Sequence, residues 1–172
     1  LFFTEMWERF TYYGMRAILA VYVATTFFGH LPEGEANAQA ALTYGGYTSL
    51  VYATAIFGGF IADRYLGYQR SILLGGFLMA VGLFMLLSTD MKIFLAGLAV
   101  IVAGNGLFKP NISTMIGKLY APGDARRDSG FTIFYMGINA GAFLAPIICA
   151  TWIGATFGEG MAYDHKDAEG FI

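Results

Sequence analysis

Charge is what this chain is shortest of. Of its 172 residues only 13% are Asp, Glu, Lys or Arg, against 57% hydrophobic, and the mean hydropathy is +0.58. A water-soluble domain carries about a quarter charged residues, so this composition excludes a soluble enzyme and points to a bilayer as solvent. The net charge of −2 offers no basic surface, which excludes nucleic-acid binding by counterion release. There is one cysteine, Cys149, between Ile148 and Ala150, so no internal disulfide forms and the thiol reads as buried and inert. The two histidines, His30 and His165, fall near expected outer loops and outside any HExxH pattern, which leaves no nucleophile and base, and no metal set, for an intramembrane enzyme. Nothing alternates as a strand does. The chain opens at Leu1 with no methionine, basic n-region or small-residue cleavage site, and reads as an internal fragment.

What is present is a series of long apolar runs. Spans are expected at about 1–29, 37–62, 71–89, 93–118 and 129–157, each near or above the ~20 residues that a helix needs to cross a membrane. His30, Pro32 and Gly34 end the first, Asp63-Arg64 closes the second before a turn at Gly67, and only Asp90 to Lys92 separates the third from the fourth. The loops after the second and fourth spans carry Arg64, Arg70, Lys118, Arg126 and Arg127, whereas those after the first and third carry only Lys92. By the positive-inside rule the amino terminus is cytoplasmic, and the loop with Glu33 and Glu35 and the acidic stretch after Gly158 are outside.

The first span is the exception to the scarcity of charge. Glu5, Glu8, Arg9 and Arg16, with Tyr12, project from one sector roughly a third of a helix circumference wide and spread over about 16 Å of axis. Such a stripe must face protein or water, and ionisable groups at this depth are functional suspects. Glu5, Glu8 and Arg9 stand at i, i+3 and i+4, so either carboxylate reaches the guanidinium. One reading is a static ion pair between helices. The other is proton binding coupled to movement, because a carboxylate's protonation depends on whether its arginine is engaged. Arg16 either anchors headgroups or faces the interior with the stripe.

Lys109 lies within the fourth span without an acid on its own helix nearby, and must find a carboxylate elsewhere or in a substrate. Gly104, Gly106 and Pro110 bracket it and suggest a kink. Tyr135 and Asn139 are one turn apart and can present a hydroxyl and an amide to one ligand, with Tyr52 a softer candidate. Asp63, Arg64 and Arg70, with Gly59 and Gly67, form a tight turn that is either a topological anchor or a gate contact. The 23 glycines include pairs four apart, Gly137 with Gly141 and Gly154 with Gly158, as close helix packing requires.

Three strings carry a resemblance. Glu5-Met6-Trp7-Glu8-Arg9-Phe10-Thr11-Tyr12-Tyr13-Gly14 is similar to the ExxERFxYYG signature of the proton-dependent oligopeptide transporter family, in the major facilitator superfamily. Gly58-Gly59-Phe60-Ile61-Ala62-Asp63-Arg64-Tyr65-Leu66-Gly67 resembles the superfamily turn after the second helix, and Phe134-Tyr135-Met136-Gly137-Ile138-Asn139-Ala140-Gly141 resembles FYxxINxG in the fifth. The likeness runs from Leu1 to Phe157. It implies an all-α membrane protein holding the first five transmembrane helices of an N-terminal six-helix bundle, with the C-terminal bundle absent from this chain, and alternating access in the whole protein. It implies proton-coupled symport of di- and tripeptides, driven by the proton gradient without cofactor or metal. On it, Glu5, Glu8, Arg9 and Lys109 couple protons, and Tyr13, Arg16, Tyr52, Lys109, Tyr135 and Asn139 bind substrate.

Animal members use a histidine in the second helix, but Ala36 to Ala62 has none, so proton handling rests on carboxylates and a bacterial inner membrane is expected. A relative moving nitrate or another anion would lose the paired acids, a non-transporting receptor would have broken coupling residues, and transport of an amino-acid derivative stays open. After Phe157 the likeness lapses. Residues 158–172 read as a longer acidic outer loop with a solvated His165, and Gly170-Phe171-Ile172 as the start of a sixth helix.

Overall fold

The computed structural model describes residues 1–157. The expectations placed on the acidic stretch after Gly158, on His165, on the Gly154 and Gly158 pair and on a sixth helix at Gly170-Phe171-Ile172 lie outside the described residues. Among the described residues all regular structure is helical: α1 Phe2–Thr26, α2 Glu33–Ile61, a π-helical turn Ala62–Leu66, α3 Tyr68–Met85, α4 Met91–Lys118 and α5 Arg126–Phe157. Four are long and apolar enough to cross a membrane: α2 with its π turn, α3, α4 and α5 over Arg126–Cys149. The four ionisable residues of α1 fall together between Glu5 and Arg16, whereas those of α2 and its π turn sit at the two ends.

Local sequence accounts for the helix ends. Pro32 precedes α2 with an extended ψ of 144°, and its carbonyl accepts from the amides of Glu35 and Ala36, while Glu33 and Glu35 sit in the first turn where the helix dipole favours anions. Asp90 caps α4, its carboxylate accepting from the amides of Lys92 at 2.7 Å and Ile93 at 3.2 Å. Gly67, at φ +75°, breaks α2 from α3 in a conformation that side-chain-bearing residues rarely adopt.

The described chain divides into two compact units. The first comprises Leu19–Tyr135 with Leu1. Its centre is α4, against which both α2 and α3 pack. The approach is close because glycine faces glycine. A Cβ built on Gly58 would stand 1.8 Å from the Gly106 carbonyl oxygen, and one on Gly75 2.6 Å from that of Gly104. In a membrane, where apolar surface gains nothing by leaving lipid, such backbone contact is a main source of helix association. Polar bonds reinforce the seam: the Thr54 hydroxyl donates to the Val102 carbonyl at 3.2 Å, and buried Asn111 donates through Nδ2 to the Gly58 carbonyl at 3.3 Å. Gly104 and Gly106 serve packing, and α4 runs as one helix with Pro110 inside it. Tyr22, Phe27 and Phe94 cluster at the other end of the seam.

The second unit comprises Phe2–Ile18 and the chain from Met136 onward. Here the glycine pair four apart on α5 receives α1: a Cβ on Gly141 would lie 2.3 Å from the Met6 carbonyl oxygen, and one on Gly137 3.0 Å from the Phe2 ring. Gly14 of α1 in turn faces Cys149, which is half-buried with a free thiol.

Candidate functional site

In the second unit, the first helix places two carboxylates around one guanidinium. Arg9 donates to Glu8 through both Nε and Nη2, the latter at 2.7 Å to Oε1, and Arg9 Nε lies 3.4 Å from Glu5 Oε1. The side chains of Glu5, Glu8 and Arg9 are 4%, 6% and 7% exposed. Arg9 also stands 5.0 Å over the ring of buried Tyr12, one turn on, a geometry that suits a cation on an aromatic face. The helix period makes this cluster possible, and the absence of bulk at Gly141 lets the Arg9 Cβ lie against α5. Tyr13 is half-buried and Arg16 exposed, so the stripe runs from a buried acidic end to an exposed basic one. Asn139, on the α5 part of this unit, is exposed.

Chemically, one guanidinium in a two-point bond with one carboxylate, and 3.4 Å from a second, can serve as partner to either acid.

In the first unit, Lys109 Nζ stands 5.1 Å from the centroid of the Tyr52 ring, which brings together two of the expected substrate residues from α4 and α2. Lys109 is half-buried and Tyr52 exposed. Tyr135, at the α5 end of this unit, is 57% exposed, its ring edge meeting Phe134. At the turn, Asp63, Arg64 and Arg70 are exposed, and Asp63 accepts a hydrogen bond from the Tyr68 hydroxyl at 2.6 Å. Lys118 Nζ lies 3.9 Å over that same Tyr68 ring, tying the end of α4 to the start of α3. Neither Tyr68 nor Lys118 stood out as a contact residue in the sequence, where no period connects them. In the following loop Arg126 donates to Asp124 through Nη2 at 2.8 Å, through Nε at 3.1 Å and through its backbone amide, which holds the Asp124 carboxyl below its ordinary range.

Comparison with known proteins gives a consistent result. A profile of the POT family matches residues 69–164. The chain is 46% identical over 161 residues to a peptide transporter of Yersinia enterocolitica, covering 92% of this chain and 31% of that protein. It is 46% identical over 165 residues to a di-/tripeptide transporter of Lactococcus lactis, covering 95% of this chain and 32% of the relative. Among solved structures, it superposes on the peptide transporter POT in complex with sulfate with a TM-score of 0.76 at 45% identity, covering 91% of this chain and 32% of that one. It superposes on a POT family transporter in complex with 5-aminolevulinic acid with a TM-score of 0.77 at 37% identity, covering 88% and 31%. These are proteins of the major facilitator fold, and this chain, whose regular structure is all helical among the described residues, shares it. The chain spans about a third of the length of the relatives it matches.

Proposed function

We propose, since this chain belongs to the POT family, that the full-length protein is a symporter that moves di- and tripeptides across the membrane with protons, by alternating access. The observation that carries this reading is the buried triad of Glu5, Glu8 and Arg9 on a helix of a membrane transporter family. A proton taken by one acid releases Arg9 to the other, so the protonation state sets the local arrangement of α1, as coupling requires. Lys109 and Arg16 meet the substrate carboxylate. Tyr13, Tyr52, Tyr135 and Asn139 line the pocket, with the Tyr52 ring holding Lys109 in place for that role. A zwitterionic peptide needs cations at one end and carboxylates at the other, and side chains of many kinds fit an aromatic, apolar cavity once the termini are clamped. The gradient alone drives the cycle, with no cofactor.

The loop cations orient the chain with its amino terminus in the cytoplasm, and the lack of a histidine from Ala36 to Ala62 supports a bacterial inner membrane. Asp63 and the turn around Gly67 belong to the cytoplasmic face, where they serve as an anchor or as a gate contact. The relative solved with 5-aminolevulinic acid supports a second reading, transport of an amino-acid derivative with the same coupling.

The test is uptake of a labelled dipeptide into proteoliposomes holding the full-length protein, with and without an inward proton gradient and with excess unlabelled tripeptide. Gradient-stimulated uptake that the tripeptide competes away is the expected result. Uptake of 5-aminolevulinic acid that tripeptide leaves untouched would favour the second reading, and no uptake of either from folded protein would overturn both.

A further inference from the structure

On one flank of the first unit, α2 and α3 lean on α4 and leave a groove of about 340 Å³, within the ~300–1,000 Å³ range of small-molecule sites. Phe57 and Ile61 form one wall, Leu74 the other, Ala103 and Leu107 the floor, and Leu66 closes one end. These walls are hydrocarbon. The Thr54 hydroxyl beside them is taken up by the backbone carbonyls of Leu50 and Val102. Phe57, Ile61 and Leu74 are 67%, 37% and 41% exposed, so the groove opens outward and is no void in the core.

Two arginines lie in the chain between lining residues of α2 and α3. Arg64 lies in the π turn between Ile61 and Leu66, and Arg70 precedes Leu74 by one turn on the same face of α3. Both are exposed, and among the described residues no ion pair or hydrogen bond engages either guanidinium. The neighbouring carboxylate, Asp63, is occupied by Tyr68. Exposed Tyr65 stands beside Arg64, as aromatic residues do at the level of lipid headgroups.

We propose that this groove binds an anionic phospholipid, one acyl chain lying between α2 and α3 and the phosphate meeting Arg64 and Arg70. Exposed hydrocarbon walls reject a zwitterionic peptide, and they end where the span ends, which is where a headgroup sits. Guanidinium groups pair phosphate through two parallel hydrogen bonds, and each cation near an anionic surface adds to the attraction. The proposal rests on the membrane reading of these helices and is independent of which solute the protein carries.

Native mass spectrometry of the full-length protein, released from mild detergent after addition of phosphatidylglycerol or phosphatidylcholine, tests it. The wild type is expected to retain one phosphatidylglycerol preferentially. The Arg64→Gln, Arg70→Gln double variant should lose that preference, by about fivefold for each arginine removed. Ala103→Phe, which fills the floor, should abolish retention of both lipids, and Leu74→Trp fills the same space from the wall should that variant fail to purify. Equal retention of the two lipids by the wild type, or no retention because another part of the protein occupies the groove, overturns the proposal. So does a groove-filled variant that keeps its phosphatidylglycerol, because headgroup attraction would then act without the groove.

Discussion

Gly58 and Gly59 are neighbours in one helix, and their substitution by alanine should have opposite effects. A Cβ on Gly58 would stand 1.8 Å from the Gly106 carbonyl oxygen, 2.3 Å from its carbon and 2.9 Å from the Leu107 nitrogen, all backbone atoms of α4. None of these yields as a flexible side chain does, so α2 must retreat by more than an ångström. Overpacking of this kind costs about 2–3 kcal/mol. The retreat also stretches the Thr54 bond to Val102 and the Asn111 bond to Gly58, worth about 0.6 kcal/mol each between membrane helices. The sum is about 3–4 kcal/mol lost. A Cβ on Gly59 meets nothing nearer than the Pro110 Cβ at 4.0 Å, so Gly59→Ala should gain up to about 1 kcal/mol from helix propensity. Unfolding of the two full-length variants by dodecyl sulfate in mixed micelles measures the difference directly. Equal midpoints would refute the claim that glycine contact, and not glycine content, holds α2 to α4.

Glu8→Gln in the full-length protein should abolish gradient-driven uptake while largely sparing counterflow, whereas equal loss of both would mean that the pair with Arg9 is structural. Tyr52→Phe keeps the ring under Lys109 and should retain uptake, while Tyr52→Leu removes a contact worth about 0.5–2 kcal/mol and should weaken peptide affinity; equal damage from both would assign the role to the hydroxyl. Tyr68→Phe loses the bond to Asp63 but keeps the face for Lys118, and a fall of about 1 kcal/mol in stability is expected in the same micelle assay. Asp124 has its pKa lowered by the bonds from Arg126, so its contribution is present above the free carboxylate's pKa and is lost as pH falls through the lowered folded value. Because Arg126 is 82% exposed the effect should be small and salt-sensitive, and Arg126→Gln should move the Asp124 titration, followed by its carboxyl carbon shift, back up to the ordinary range; an unmoved titration would count against the pairing.

Much of the molecule was legible without coordinates because the deciding physics is local. An apolar run long enough to span a bilayer must satisfy its own backbone and therefore coils, and the caps at Pro32 and Asp90 are written in the residues themselves. The meeting of Glu5 and Arg9 follows from the helix period, since residues four apart share a face, while Glu8 reaches Arg9 as its chain neighbour. Gly137 and Gly141 announced a close approach by their spacing alone.

What the tertiary structure decided is which of two equivalent residues matters. Sequence does not distinguish Gly58 from Gly59, because the difference is a carbonyl of another helix fifty residues away. It does not pair Tyr68 with Asp63 and Lys118, or Lys109 with Tyr52, because those contacts cross between elements whose relative rotation depends on the whole seam. Nor does it reveal the groove between Phe57, Ile61 and Leu74, which exists only once α2 and α3 have both settled on α4. Period and solvent preference act along the chain and can be read from it. Packing acts between chain segments, and there the arrangement of backbones at distances of 2–4 Å decides.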